Sequence, residues 1–77
     1  MRARSRTERD LDRLLDRIEA LGDEIRRLEK ELTDPDLFRR DAAGFGGRTE
    51  QLAGARAELE AAEQRWLDLA AHQEQIT

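Results

Sequence analysis

The sequence predicts an all-α protein, an antiparallel two-helix coiled-coil hairpin with a short helix at its tip. Three observations lead to this prediction. Apolar residues recur at alternating steps of three and four in two long runs, which is the period of a coiled-coil seam. The only proline of the 77-residue chain stands between the runs. Finally, 42% of the residues are charged and only 38% are hydrophobic, so the chain cannot bury a deep globular core.

The first run predicts a helix over about residues 7–33. Its seam residues are Leu11, Leu14, Ile18, Leu21, Ile25, Leu28 and Leu32. Either Ser5 or Thr7 can cap its start, and Thr7 with Asp10 has the spacing of a capping box. We expect residues 1–6 to form a flexible basic arm in front of the hairpin, which occupies residues 7–77. The arginines of this arm are Arg2, Arg4 and Arg6.

The stretch LTDPDLFRRD, at residues 32–41, predicts the tip, which we assign to residues 34–41. Pro35 ends the first helix because it lacks an N–H, yet it suits the first position of a new helix capped by Asp34. A short helix over about residues 36–40 is expected to fold Leu37 and Phe38, with Phe45, over the end of the seam. The two arginines that follow Phe38 then face solvent.

The second run predicts a helix over about residues 42–76, with Asp41 as its N-cap. Its seam residues are Leu52, Ala55, Leu59, Ala62, Trp66 and Leu69. Glycine lowers helix stability by about 1 kcal/mol relative to alanine, so three glycines in the first turns predict fraying there. These glycines are Gly44, Gly46 and Gly47.

The two seams are in phase when the chain folds back on itself. The predicted facing pairs are Leu28 with Leu52, Ile25 with Ala55, Leu21 with Leu59, Ile18 with Ala62, Leu14 with Trp66 and Leu11 with Leu69. Small alanines meet large isoleucines, so the layers can interdigitate. Trp66 is expected to be a core residue. Apolar residues beside the seam or at its end predict weak self-association; they are Leu15, Leu67 and Ile76.

No enzyme site can be assembled from these residues, and we predict a non-catalytic domain without a cofactor or a metal. Cysteine is absent, which favours a reducing compartment, by default the cytoplasm. His72 with Asp68 offers at most two metal ligands, too few for zinc. The glycines of GFGG, residues 44–47, are not followed by the lysine of a phosphate-binding loop. No apolar run approaches the length of a membrane span, and no secretory signal is recognisable.

Basic residues near the tip form the candidate binding site. They are Arg26, Arg27, Lys30, Arg39, Arg40 and Arg48. Arginine suits phosphate because its planar fork offers paired donors. Nearby acids oppose this assignment by neutralising the set on average; they are Asp23, Glu24, Glu29, Glu31, Asp34, Asp36 and Asp41. The residues alone therefore favour a solvated helix end over a nucleic-acid site.

The sequence also resembles the C-terminal coiled-coil domain of Uup-type ABC-F ATPases. The resemblance rests on RTERDLDRLLDRIEAL, LTDPDLFRRDAAGF and LEAAEQRWLDL, which together span nearly the whole chain. It implies an antiparallel hairpin, attached in that family to two ATP-binding cassettes, that binds DNA. The arm of valyl-tRNA synthetase is a similar hairpin, but it fits the tip and RWLDL less well. The chain departs from the family where Ala42 replaces a proline and where Gly46, Gly47 and Arg48 replace apolar or small residues.

The resemblance implies DNA, including branched or structured DNA, or ribosomal RNA as the partner, with no membrane contact. A different class of function stays open, that of a structural spacer or of a protein-docking or ribosome-contacting hairpin without affinity for DNA. Whether the chain is an excised domain or a free-standing relative is open as well.

Overall fold

In the computed structural model, residues 5–76 are described, with side chains described for residues 5–73. Three helices follow one another: α1 spans Arg6–Leu32, α2 spans Leu37–Arg40 and α3 spans Ala42–Ile76. The two long helices pack against each other along a rod about 56 Å long and 15 Å thick, and α2 packs against α3. No strand occurs within residues 5–76. The predicted helical hairpin with a short helix at its tip is confirmed.

The helix α1 begins one residue after Ser5, which is its N-cap. The Ser5 hydroxyl accepts a hydrogen bond from the Glu8 N–H at 3.1 Å, so this serine, rather than Thr7, satisfies a free donor of the first turn. Arg6, assigned to the arm from the sequence, is therefore the first helical residue. Arg2 and Arg4 of the predicted arm lie outside the described residues.

The turn after α1 is held by Asp34 in a way that differs from the prediction. The Asp34 carboxylate accepts from the Asp36 N–H at 2.9 Å, so it bridges over Pro35 within the turn. The N-cap of α2 is Asp36, whose side chain makes no capping bond, and Pro35 lies in the turn before the helix. The prediction of Asp34 as N-cap with Pro35 as first helical residue was wrong, because this carboxylate stabilises the turn instead.

Of the two apolar residues of α2 that were predicted to cover the end of the seam, one is buried and the other is exposed. Leu37 is buried, whereas Phe38 is 61% exposed and contacts Phe45 edge-on, with ring centroids 5.5 Å apart. Neighbouring residues of a helix point about 100° apart, so both side chains cannot face the seam. The prediction that Leu37 and Phe38 together close the end of the seam was correct for Leu37 and wrong for Phe38.

The helix α3 starts directly after Asp41. The Asp41 carboxylate accepts from the Gly44 N–H at 2.9 Å, and its carbonyl accepts from the Phe45 N–H at 2.9 Å. The predicted capping role of Asp41 is thus confirmed by its contacts. The backbone is helical through all three glycines of the first turns, and fraying there stays a prediction.

The core contains ten of the thirteen predicted seam residues, and Leu11, Trp66 and Leu69, near the open end, lie outside it. Its buried residues are Leu21, Ile25, Leu28, Leu52, Ala55 and Ala62, and the half-buried residues packed on them are Leu14, Ile18, Leu32 and Leu59. Ion pairs on the flanks agree with the predicted register. Arg17 next to Ile18 pairs with Glu58 next to Leu59, and Glu29 next to Leu28 pairs with Arg56 next to Ala55. Each pair therefore joins consecutive predicted layers.

Neither long helix, over the part that the structure describes, contains a segment apolar enough to cross a membrane.

Replacing Gly46 or Gly47 by alanine is expected to raise the free energy of unfolding by about 0.5–1 kcal/mol per site. An added Cβ at either position meets no atom within 4 Å, so only the gain in helix propensity remains. Urea denaturation followed by circular dichroism measures the change.

Gly44→Ala is the matched control. A Cβ at residue 44 would come within 2.6 Å of the Asp41 carboxylate carbon and displace the cap. This variant should gain no stability. Equal stabilisation by all three alanines would contradict the capping role of Asp41.

Candidate nucleic-acid interface

The predicted tip cations lie on three helices and are mostly solvent-exposed. Arg26, Arg27 and Lys30 belong to the last turns of α1, Arg39 and Arg40 to α2, and Arg48 to α3. The side chains of Arg39 and Arg40 are 80% and 65% exposed, as expected for the solvent side of the short helix. The Arg48 side chain is only 32% exposed, because it occupies a seam position.

Every arginine of this set has a carboxylate partner. Arg39 pairs with Asp36 at 3.8 Å and Arg40 with Asp34 at 2.8 Å. Three further pairs complete the set: Arg26 with Asp23, Arg27 with Glu31 at 3.4 Å, and Arg48 with Glu31 at 3.1 Å. Lys30 has no ion pair within residues 5–73. The positive charge of the tip is therefore largely compensated where it stands.

Breaking these tip ion pairs costs little free energy, so the arginines remain available to bind another anion. Exposed ion pairs contribute about 0–1 kcal/mol each, so a phosphate oxygen can replace a carboxylate oxygen as the acceptor. Arg40 is the most constrained, because its partner Asp34 also holds the turn. Arg39, with the longest pair distance, is the least constrained.

The structure brings some of the tip cations together and separates others. One shallow groove is lined by Lys30, Arg40 and Arg48 together with Glu31, Asp34 and Leu37. A second groove, on the other side of Arg48, is lined by Arg27 and Arg48 with Glu31, Gly44, Gly47 and Gln51. Arg26 and Arg39 line neither. The predicted set is thus two small clusters that share Arg48, rather than one continuous patch.

A third groove at the opposite, open end of the hairpin has an excess of positive charge. It is lined by three arginines, one carboxylate and one apolar residue, which are Arg6, Arg13, Arg65, Asp10 and Leu14. Arg6 and Arg13 are seven residues apart, so they lie on one side of α1, and Arg65 comes from α3. None of the three arginines has an ion pair among the described residues. We call this surface the open-end groove.

Sequence reasoning missed Arg13 and Arg65. The signal was present, because the spacing from Arg6 to Arg13 is two helical turns and Arg65 precedes Trp66, the predicted partner of Leu14. In a count along the sequence, acids on other sides of the helices offset the charge of these arginines. The groove becomes apparent only when the two helices are paired.

Trp66 and His72 are the residues that the sequence analysis considered for base stacking and for metal binding. Trp66, predicted to be a core residue, is half-buried and lies outside the core cluster, so the prediction was only partly correct. His72 is exposed. Within the described residues, no group of three or more potential metal ligands occurs.

Comparison with known proteins identifies one relationship. A family model described as the ABC transporter C-terminal domain matches residues 3–71. The matched range contains the seam, the tip and the open-end groove. No curated protein and no solved structure matches the chain significantly.

Replacing Arg48 by leucine is expected to raise the free energy of unfolding by about 1 kcal/mol. The seam position opposite Leu32 would then hold an apolar side chain, and the lost pair with Glu31 is partly exposed and weak. Thermal and urea denaturation at low and high salt measure the effect. Glu31→Gln, which removes the pair without adding apolar surface, should lower stability slightly and only at low salt. Destabilisation by Arg48→Leu would show that the ion pair outweighs seam packing.

Proposed function

The chain belongs to the ABC transporter C-terminal domain family, and from this premise we propose that it is the nucleic-acid-binding coiled-coil appendage of a cytoplasmic ABC-F ATPase of the Uup type. Membership makes the chain an appendage of an ABC protein. In the proposal, the cassettes supply ATP chemistry, and the hairpin is non-catalytic and carries the contact to DNA or structured RNA.

The observation that supports nucleic-acid binding most strongly is the open-end groove. Three arginines face one carboxylate there, and none of them is committed to an ion pair among the described residues. Guanidinium groups bind phosphate oxygens through paired, charge-assisted hydrogen bonds. Because α1 and α3 both contribute arginines, the packing of the two helices brings the donors to one groove. Such a surface suits a sugar-phosphate backbone rather than base edges.

The tip is a second, weaker contact in this proposal. Lys30, Arg40 and Arg48 share a groove, and the exposed arginine pairs can be exchanged for phosphate contacts. Each exchange, however, leaves an unpaired carboxylate near the phosphate, which lowers the gain. Arg39 is the most exposed tip arginine and has the longest ion-pair distance, and Arg40 lines the tip groove, so these two residues are the ones to change at the tip.

The alternative is a spacer or a protein-docking hairpin without affinity for nucleic acid. The net charge of −4 favours it, because a polyanion is repelled by the acidic parts of the rod. The two hypotheses differ in a measurable way. Phosphate contacts make affinity fall steeply with salt and depend little on base sequence, whereas a spacer shows no such binding.

Replacing Arg13 and Arg65 by glutamine is expected to weaken binding to short duplex DNA by about tenfold and to reduce the salt slope by about two, because two phosphate contacts are lost. Arg39→Gln with Arg40→Gln should weaken binding only a few-fold. Fluorescence anisotropy with labelled single-stranded, duplex and branched DNA at several salt concentrations measures both effects.

The matched control is Arg17→Gln with Arg56→Gln. It removes the same charge from arginines that are paired with Glu58 and Glu29 on the flanks of the rod. Binding by this variant should resemble that of the unmodified chain. If the control loses as much affinity as the open-end variant, binding depends on overall charge and not on the groove. If no salt-dependent binding is found with any nucleic acid, the spacer hypothesis replaces the proposal.

A further inference from the structure

An apolar groove lies on the other flank of the same seam layer. Arg65 and Leu67 are the two neighbours of Trp66, and they point to opposite flanks of α3. Arg65 lines the open-end groove, whereas Leu67 lines a groove with Leu15, Ile18, Glu63 and Trp66. We call this second surface the Trp66 groove.

Two large apolar side chains of the Trp66 groove are exposed to solvent. Leu15 is 47% exposed and Leu67 is 56% exposed. Among the described residues, only these two and Phe38 at the distant tip are large hydrophobic residues in the exposed class. Two leucines from different helices beside a tryptophan form a contiguous apolar surface, which is typical of a contact site.

The side chain of Trp66 carries a hydrogen-bond donor that is left unpaired among the described residues. Its indole Nε1–H is buried and has no acceptor in the part of the chain that the structure describes. A buried donor without an acceptor costs about 1–3 kcal/mol. Within the described residues, the hairpin therefore leaves the polar atom of this seam tryptophan unsatisfied.

The charges around the groove are all negative. Glu63 lines it, Glu19 lies one turn after Leu15 on α1, and Glu60 lies almost one turn before Glu63 on α3. No ion pair among residues 5–73 involves these three glutamates, and no lysine or arginine lines the groove. Farther along this side, Arg26 and Arg56 are each paired with a carboxylate.

The exposed leucines and the surrounding glutamates together indicate which kind of partner fits the groove. A second copy of the chain would bring the same glutamates to a two-fold contact, where acid would face acid. A nucleic acid would be repelled. A helix with apolar residues on one side and lysine or arginine beside them matches both the leucines and the carboxylates.

We propose that the Trp66 groove docks a cationic amphipathic helix of a protein partner. Apolar side chains of that helix insert between Leu15 and Leu67 against the Trp66 ring, and its cations pair with Glu19, Glu60 and Glu63. This proposal does not depend on nucleic-acid binding, because it uses the opposite flank of the hairpin.

The test uses two designed helical peptides without tryptophan, one with leucine and lysine at helical spacing and the other with glutamate in place of each lysine. Trp66 is the only tryptophan of the chain, so its fluorescence reports on the groove. The leucine-lysine peptide should produce a saturable change in Trp66 emission, whereas the leucine-glutamate peptide should produce none.

Two variants test the two components of the site. Leu15→Ser with Leu67→Ser should lower affinity for the leucine-lysine peptide by about tenfold, because the apolar anchors are lost. Glu19→Gln with Glu63→Gln should lower it several-fold and reduce its salt dependence. Asp16→Asn with Glu50→Gln removes the same charge from exposed outer positions and should leave affinity unchanged. Circular dichroism confirms that each variant keeps its helicity.

Three outcomes would overturn the proposal. The first is binding of both peptides with equal affinity. The second is an equal loss of affinity in the outer-face variant and the groove variant, which would mean nonspecific charge attraction. The third is a Trp66 signal that depends on protein concentration alone and coincides with a dimer in sedimentation, which would assign the groove to a second copy, the self-association predicted from the sequence.

Discussion

The interlocking of two in-phase apolar stripes is the constraint on which the rest of this structure depends. Leu21 and Leu28 are completely enclosed, and Ala55 and Ala62 leave room for the isoleucines predicted to face them. Each long helix has one such stripe, and burying it supplies most of the apolar contact between the helices. Outside the stripe most described side chains are exposed and polar or charged, and Leu15, Leu67 and Phe38 are the exposed large hydrophobic residues among them. The grooves of the described residues lie along the flanks and at the two ends of the rod.

The sequence was sufficient for the seam and insufficient for the tip. The three-four spacing specifies both stripes because burial repeats every helical turn, and all ten residues of the observed core follow it. At the tip, several local hydrogen bonds compete. The Asp34 carboxylate can cap a helix or bridge a turn, and only the assembled tip, with Arg40 beside it, selects the turn. For the same reason Phe38 was misplaced, since adjacent residues cannot both face a narrow seam.

The two ends of the hairpin differ more clearly in how their arginines are ion-paired than in their residue composition. The tip pairs of Arg26 with Asp23, and of Arg39 with Asp36, are three residues apart, so helical spacing alone favours them. At the open end the arginines come from both α1 and α3, and their proximity depends on the register of the seam. Local spacing therefore accounts for these two tip pairs, whereas the pair of Arg48 with Glu31 and the grouping of the open-end arginines arise only when the helices are paired.

The layer that contains Trp66 carries opposite charges on its two flanks. Arg65 precedes the tryptophan and lines a groove of three arginines, whereas Leu67 follows it and lines an apolar groove with Glu63. Phosphate is attracted to the first flank and repelled by the second, and a cationic helix has the reverse preference. Because the two grooves share no lining residue and lie on opposite flanks of the seam, one occupant does not block the other sterically. The two proposed partners would therefore occupy opposite flanks at the same level of the rod, with Trp66 lining only the apolar groove.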